Sequence, residues 1–257
     1  MIDTLRSIRI WILSVSLIGA WLPLMAIRRL FDHDPVRYHT GYLFRKLGRA
    51  LVRVNPAWRV RLSGETIEDP RHPYVVVSNH QSLADIPVVS HLPWEMKWLG
   101  KEELFKLPFV GWMMHLSADI KVDRKSARSG VAALIAAQKV LAQKCSVMIF
   151  PEGTRSMDGR VRSFADGAFH LAIRAKVPVL PVALDGTFDC IPKHTWKFGK
   201  PSDIFLKVLP PIDTSGFTTD RVAELRELVR AKIMEQVAEW RGVTVAEVDG
   251  TVKPASA

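Results

Sequence analysis

From Ile10 to Ile27 the chain runs eighteen residues without a charge, close to the shortest apolar stretch that spans a hydrocarbon core about 30 Å thick. Arg6 and Arg9 precede this run, and Arg28, Arg29 and Arg37 follow it. The one-sided excess of basic residues that orients a spanning helix is therefore missing, and the pattern predicts a re-entrant or interfacial segment. A cleaved signal peptide would have a shorter apolar core followed by a small-x-small cleavage site. Between Thr40 and Asn55 the pattern becomes amphipathic. Leu43, Leu47, Leu51 and Val54 form one stripe and Arg45, Arg49 and Arg53 another, which predicts a second helix lying on anionic headgroups. An ordinary helix packed on a domain core has the same spacing, and the position directly after the apolar run favours the membrane reading.

Near Val60 strand-like and helix-like stretches begin to alternate, as in an α/β domain whose sheet is covered by helices. Residues 74–78, 147–150, 179–184 and 204–208 read as strands, the first two as continuous apolar runs suited to a buried sheet. Helices fit Ser126 to Gln143, Asp166 to Ala175 and Asp220 to Trp240. In the last, Asp220 is placed to cap the first turn, and Val222, Leu225, Val229, Ile233 and Val237 form the buried stripe. The chain divides into membrane-associated helices over 1–58, a single domain over 59–245 and a flexible tail over 246–257.

A formal charge of +10 from 36 Lys and Arg against 26 Asp and Glu suits an anionic lipid surface, an acidic carrier protein or nucleic acid. No nucleic-acid-binding motif accompanies it, so nucleic acid is not an expected partner. Two cysteines, Cys145 and Cys190, are too few and too far apart for a disulfide framework or a zinc cluster. They read as small buried packing residues of a reducing compartment. No ligand cluster with metal-site spacing occurs, and neither metal nor cofactor is expected.

Two loops carry candidate chemistry, each at the C-terminal end of a predicted strand, where open α/β sheets place ligand sites. The first is Asn79-His-Gln-Ser-Leu-Ala-Asp85. A turn there can bring the Asp85 carboxylate onto one nitrogen of His80, fixing the tautomer and raising the basicity of the other nitrogen. A strand-end histidine beside a helix-capping aspartate is the alternative. The second loop, Phe150-Pro-Glu-Gly-Thr-Arg-Ser156, combines a glycine for close backbone approach, hydroxyl donors and a guanidinium fork that matches phosphate oxygens. Glu152 in it is better suited to hold Arg155 or the loop than to meet a phosphate. A plain turn with a solvated arginine has the same composition.

Asn-His-x4-Asp followed by Phe-Pro-Glu-Gly-Thr-Arg-Ser resembles the glycerolipid acyltransferase family, in particular its lysophosphatidate acyltransferases. Lys101 to Trp112, ending at Val122-Asp-Arg124, resembles the family's second block, and Val177-Pro-Val-Leu-Pro-Val182 its fourth. The four blocks stand in family order over roughly residues 60–210. Ala118 stands where a glycine is expected, and Asp166 where a basic residue is common.

The resemblance implies one catalytic α/β domain preceded by an N-terminal membrane-embedded helix pair. It implies His80 as general base, Asp85 as its orienting partner, and Glu152, Gly153, Thr154 and Arg155 as holders of the acceptor phosphate, with Lys101 and Arg124 assisting. The implied reaction moves a fatty acyl group from acyl-CoA or acyl-carrier protein to the sn-2 hydroxyl of lysophosphatidic acid, without a cofactor, on the cytoplasmic face of the inner membrane. The expected partners are a lysophospholipid acceptor, an acyl thioester donor and membrane lipid. Asp166 keeps another acceptor, such as a lyso-aminolipid, in view, with Arg162 or Arg174 able to compensate for the lost charge. A lipid hydrolase would want a Gly-x-Ser-x-Gly elbow, which is missing. A non-catalytic lipid-binding protein would not depend on His80.

Overall fold

Residues 2–123, 125–192 and 195–252 are described by a computed structural model. Helix α1 (Ile2–Leu30) and helix α2 (Tyr38–Val54) lead into strand β1 (Trp58–Gly64) and the buried strand β2 (Val75–Ser78). Next come α3 (Asp85–Val89), β3 (Met96–Lys101), the short helices α4 (Glu102–Phe105) and α5 (Val110–Leu116), and β4 (Ile120–Val122). The chain continues through α6 (Ala127–Ala142), β5 (Ser146–Ile149), α7 (Gly167–Ala175), β6 (Val179–Asp185), β7 (Ser202–Val208), α8 (Val222–Arg241) and α9 (Val245–Val248).

The strands form one seven-stranded sheet in the order β1-β7-β6-β2-β5-β3-β4. β6, β2, β5, β3 and β4 are mutually parallel, while β7 pairs antiparallel to β6 and carries β1 parallel to itself. Both faces of the sheet are covered, and alternate residues of a strand serve opposite cores. Val75 and Val77 of β2 pack with Ala137, Phe169 and Val229 of the helices α6, α7 and α8. Val76 between them faces Val88, Trp94 and Trp58 on the other side. The continuous apolar runs of β2 and β5 therefore serve a central parallel sheet buried on both sides.

The first helix is long and apolar enough to cross a membrane, yet it is tied to the domain at both ends. Near its start Arg6 donates to the Phe198 carbonyl at 3.1 Å and Ser7 Oγ accepts from Phe198 N at 3.0 Å. Further on, Trp21 Nε1 donates to the Leu43 carbonyl at 2.9 Å, and Met25 packs with Leu47 and Met113. Leu5, Ile12, Val15, Ile27 and Leu30 project outward on its free side, and Phe109, just before α5, and Trp112, within it, are also exposed.

Helix α2 departs from expectation. Of the arginine stripe only Arg53 is exposed. Arg45 is 4% exposed and reaches Asp119 at 2.7 Å and Glu95 at 3.4 Å, while Arg49 donates to the carbonyls of Ser90 and Leu92. The reason lies one turn earlier, at Gly41. A Cβ there would lie 2.0 Å from Glu95 Oε1, so only glycine lets the helix come close enough for Arg45 to meet the carboxylates. The stripe read as a headgroup face is largely a docking face for the domain.

Two expectations for the C-terminal half differ from what is found. Asp220 does not cap α8; it sits in a 3-10 turn, Thr219–Arg221, that precedes the helix. The expected buried stripe of α8 is present. Residues 246–252 are not a loose tail, because Thr244 and Glu247 form a reciprocal capping box that starts α9. Val248 is fully buried, and Val161 exchanges backbone hydrogen bonds with Val248 and Gly250. The rest of the expected tail, 253–257, lies outside the described residues. Ala118 adopts φ 58°, the left-handed conformation that favours glycine, which accounts for the expectation of glycine there.

Candidate active site

The five parallel strands end along one edge, and the loops leaving them hold the candidate residues. His80 follows β2, Glu152 to Arg155 follow its neighbour β5, and Lys101 ends β3 beyond that. At the usual strand spacing of about 5 Å, the chain at Lys101 is roughly 10 Å from that at His80.

The turn after β2 folds back on itself. His80 Nδ1–H donates to Asp85 Oδ2 at 2.6 Å, and the same oxygen accepts from the backbone N–H groups of Gln81 (2.6 Å) and Ser82 (2.9 Å). Asp85 is fully buried and His80 is 8% exposed. Three donors thus converge on one buried carboxylate oxygen. With Nδ1 committed to Asp85, Nε2 carries the lone pair. The imidazole lies flat on Phe150, with ring centroids 4.2 Å apart and planes 18° apart, which fixes the direction of Nε2. Asn79 braces the turn from below, its side-chain amide exchanging hydrogen bonds with the backbone of Leu184 in β6.

Glu152 does not reach for Arg155. Its Oε1 accepts from the backbone N–H of His80 at 2.9 Å, while Ser156 N donates to the His80 carbonyl at 2.8 Å, so the loop after β5 clamps the histidine backbone from both sides. Burial pushes the Glu152 carboxyl up to about 7, offset in part by the His80 and Arg162 backbone donors. Gly153 takes φ 71°, turning the chain so that Thr154 is exposed and Arg155 half-buried at the rim. Lys101 stands at the same edge with its ammonium 3.1 Å from Glu103. Arg124 lies outside the described residues. The structure thus unites His80, Asp85 and Glu152 by direct hydrogen bonds and places Gly153, Thr154, Arg155 and Lys101 along the adjoining rim.

A family model described as Acyltransferase matches residues 59–185. The 1-acyl-sn-glycerol-3-phosphate acyltransferase alpha of Mus musculus is 36% identical over 178 residues, covering 68% of this chain and 62% of that protein. The corresponding enzyme of Saccharomyces cerevisiae is 32% identical over 188 residues, covering 72% and 61%. The crystal structure of the 1-acyl-sn-glycerophosphate (LPA) acyltransferase PlsC from Thermotoga maritima superposes with a TM-score of 0.79 at 28% identity, covering 94% of this chain and 97% of that one. The chain belongs to the glycerolipid acyltransferase family. Its match spans somewhat under two thirds of the length of the mouse and yeast relatives.

Within the family framework, the acidic residue at Asp166 has its own explanation. Its carboxylate bonds Arg226 of α8 at 2.5 Å, so its charge is neutralised within the domain. Both cysteines are buried and free, and burial pushes each thiol up to about 12, in keeping with packing roles. Among the described residues no group of three or more His, Cys, Asp and Glu side chains converges as a metal site. Sequence reasoning missed Thr187, whose hydroxyl lies 2.5 Å from Asp85 Oδ1. The available signal was its place just after the buried strand β6, a third strand end beside the two loops already singled out.

Proposed function

We propose that this protein transfers a fatty acyl group from an acyl thioester to the sn-2 hydroxyl of lysophosphatidic acid, giving phosphatidic acid. The observation that carries the reading is the 2.6 Å bond from His80 to a fully buried Asp85 at the mouth of the sheet. His80 Nε2 takes the acceptor's hydroxyl proton as that oxygen attacks the thioester carbonyl. The C–O bond forms, the tetrahedral oxyanion collapses, the C–S bond breaks, and the imidazolium returns the proton to the leaving thiolate. Asp85 stabilises the imidazolium between these steps without taking its proton. Thr154, Arg155 and Lys101 on the rim, with Arg124, take the acceptor phosphate, for which a guanidinium fork and an ammonium are suited. Gly153 turns the loop towards that phosphate. Glu152 acts from behind by holding the His80 backbone. The donor is a thioester of coenzyme A or of acyl-carrier protein, and no cofactor takes part.

The protein works at a membrane. A helix anchored to the domain near both ends, with an apolar free side, supports α1 lying in the interface with that side in lipid. α2 wedges between α1 and the domain, so the second helix of the pair supports the first. We place the protein on the cytoplasmic face of the inner membrane, where acyl thioesters are available.

The test is acyl transfer from a labelled thioester to a panel of lysolipids in vesicles, comparing the native protein with His80→Ala. Transfer to lysophosphatidic acid that disappears in the variant is the expected result. Transfer to no lysolipid, or full transfer without His80, would sink the proposal.

A further inference from the structure

Asp85 has two carboxylate oxygens, and only one of them is accounted for by the turn that carries it. Oδ2 takes His80 and two backbone N–H groups, whereas Oδ1 accepts from Thr187 Oγ1 at 2.5 Å, across 102 residues of chain. Thr187 is fully buried. Its hydroxyl has one proton and two acceptors within reach, Asp85 Oδ1 and Gln81 Oε1, the second at 3.5 Å. The Gln81 amide is oriented by its own donations, from Nε2 to Asp185 Oδ1 at 3.1 Å and to the Gly159 carbonyl at 3.3 Å. The shorter contact is to the carboxylate, and a hydroxyl donating to an anion is the stronger bond. Asp185 is held in turn by Arg241 of α8 at 2.6 and 3.0 Å, which locks the end of β6 and with it the threonine.

We propose that Thr187 is a positioning residue for the acyl transfer proposed above, acting through Asp85. Its hydroxyl holds the carboxylate at the angle that keeps Oδ2 on His80 Nδ1, and it drains part of the charge that would otherwise bear on the imidazole. Other groups around the pair are Glu152 after β5, Asp185 and Arg241 on the β6 side, and the Cys190 thiol. None of them donates to Oδ1.

Thr187→Val keeps the shape and removes the donor. Without it Asp85 is more basic and favours the imidazolium more strongly, so the acid limb of the pH profile of transfer moves to higher pH. Transfer at neutral pH falls about ten-fold, the size of one hydrogen bond to a charged group. Thr187→Ser, which keeps the hydroxyl, restores both the profile and most of the rate. In NMR the His80 ring titrates at higher pH in Thr187→Val than in the native protein, a readout that needs no turnover. If native protein transfers acyl groups and His80→Ala does not, the functional reading stands by itself. A Val variant within two-fold of native with an unmoved profile, or Ser and Val equally impaired, then overturns the role of Thr187. Should Thr187→Val fail to fold, the native protein still decides: its labelled Thr187 methyl resonance must follow the His80 titration, and a methyl unmoved through it overturns the coupling.

Discussion

Asp85 and Asp119 are assembled alike and serve differently. Each is a buried carboxylate that accepts a backbone N–H and a side-chain hydroxyl: Asp85 from Gln81, Ser82 and Thr187, Asp119 from Trp98 N at 3.0 Å and Ser117 Oγ at 2.9 Å. They differ in the cationic partner. Asp85 meets an imidazole, a group that has both a neutral and a charged form. Asp119 meets the guanidinium of Arg45, which keeps its charge throughout. Lys97 Nζ, fully buried, adds a second cation 2.7 Å from Glu95. The same carboxylate environment thus holds the proposed general base at the strand ends and a fixed-charge clamp beneath α2.

That contrast is broken most forcefully by removing each cation in turn. His80→Ala is expected to lower transfer about 10²- to 10⁴-fold, the range of a lost general base. Its stability should change by only about 1 kcal/mol, chiefly the lost stacking on Phe150, because Asp85 keeps its backbone donors. Arg45→Met is expected to do the reverse. Two buried carboxylates then share one lysine, and breaking such a network costs about 3 to 5 kcal/mol, while the folded fraction keeps turnover within a few-fold of native. Unfolding in detergent, read beside turnover per folded molecule, checks both. Equal losses of stability and activity in both variants would erase the distinction.

The two clusters also differed in how well the sequence revealed them. His80 and Asp85 stand five residues apart in one turn behind an apolar run, so local pattern was enough to bring them together. The clamp is invisible to such reading. Arg45 occupies a stripe with Arg49 and Arg53 that has the spacing of a solvated face, and its partners Glu95 and Asp119 come from distant loops. Lys97 lies within β3 and is fully buried, which disguises that strand because a lysine argues against a buried run. β4 escaped for being three residues long. Thr187 was missed for the same physical reason as Arg45: its role depends on a contact made only when distant strands pair.

Glu152 offers a subtler way to sharpen the comparison, since it is a buried carboxyl without a cation bonded to it. Its ordinary value is 4.5, and burial pushes it up to about 7. Below about 4.5 the group is protonated whether the chain is folded or not, and its contribution is fully present. As pH rises towards 7 the unfolded chain ionises while the folded one resists, so stability falls across that interval and levels off above it. At about 1.4 kcal/mol per unit the loss amounts to at most a few kcal/mol. Glu152→Gln cannot ionise and should flatten the slope between pH 5 and 7 in denaturant unfolding. A slope unchanged in the variant would mean that other groups set it.

The smallest effect is expected at Gly153, on the rim of the site. Its φ of 71° is one that side chains rarely adopt, yet a Cβ there meets nothing within 4 Å. Gly153→Ala therefore adds no clash and costs only backbone strain, about 1 to 2 kcal/mol. The chain relieves that strain most easily by moving Thr154, which is exposed, rather than Glu152, which is bonded to His80. The expected consequence is a few-fold rise in KM for the lysolipid with kcat nearly unchanged, because the rim shifts while the histidine and its carboxylate stay in place. If kcat falls instead and KM holds, the strain has travelled through Glu152 into the His80 backbone, and rim and base form one mechanical unit.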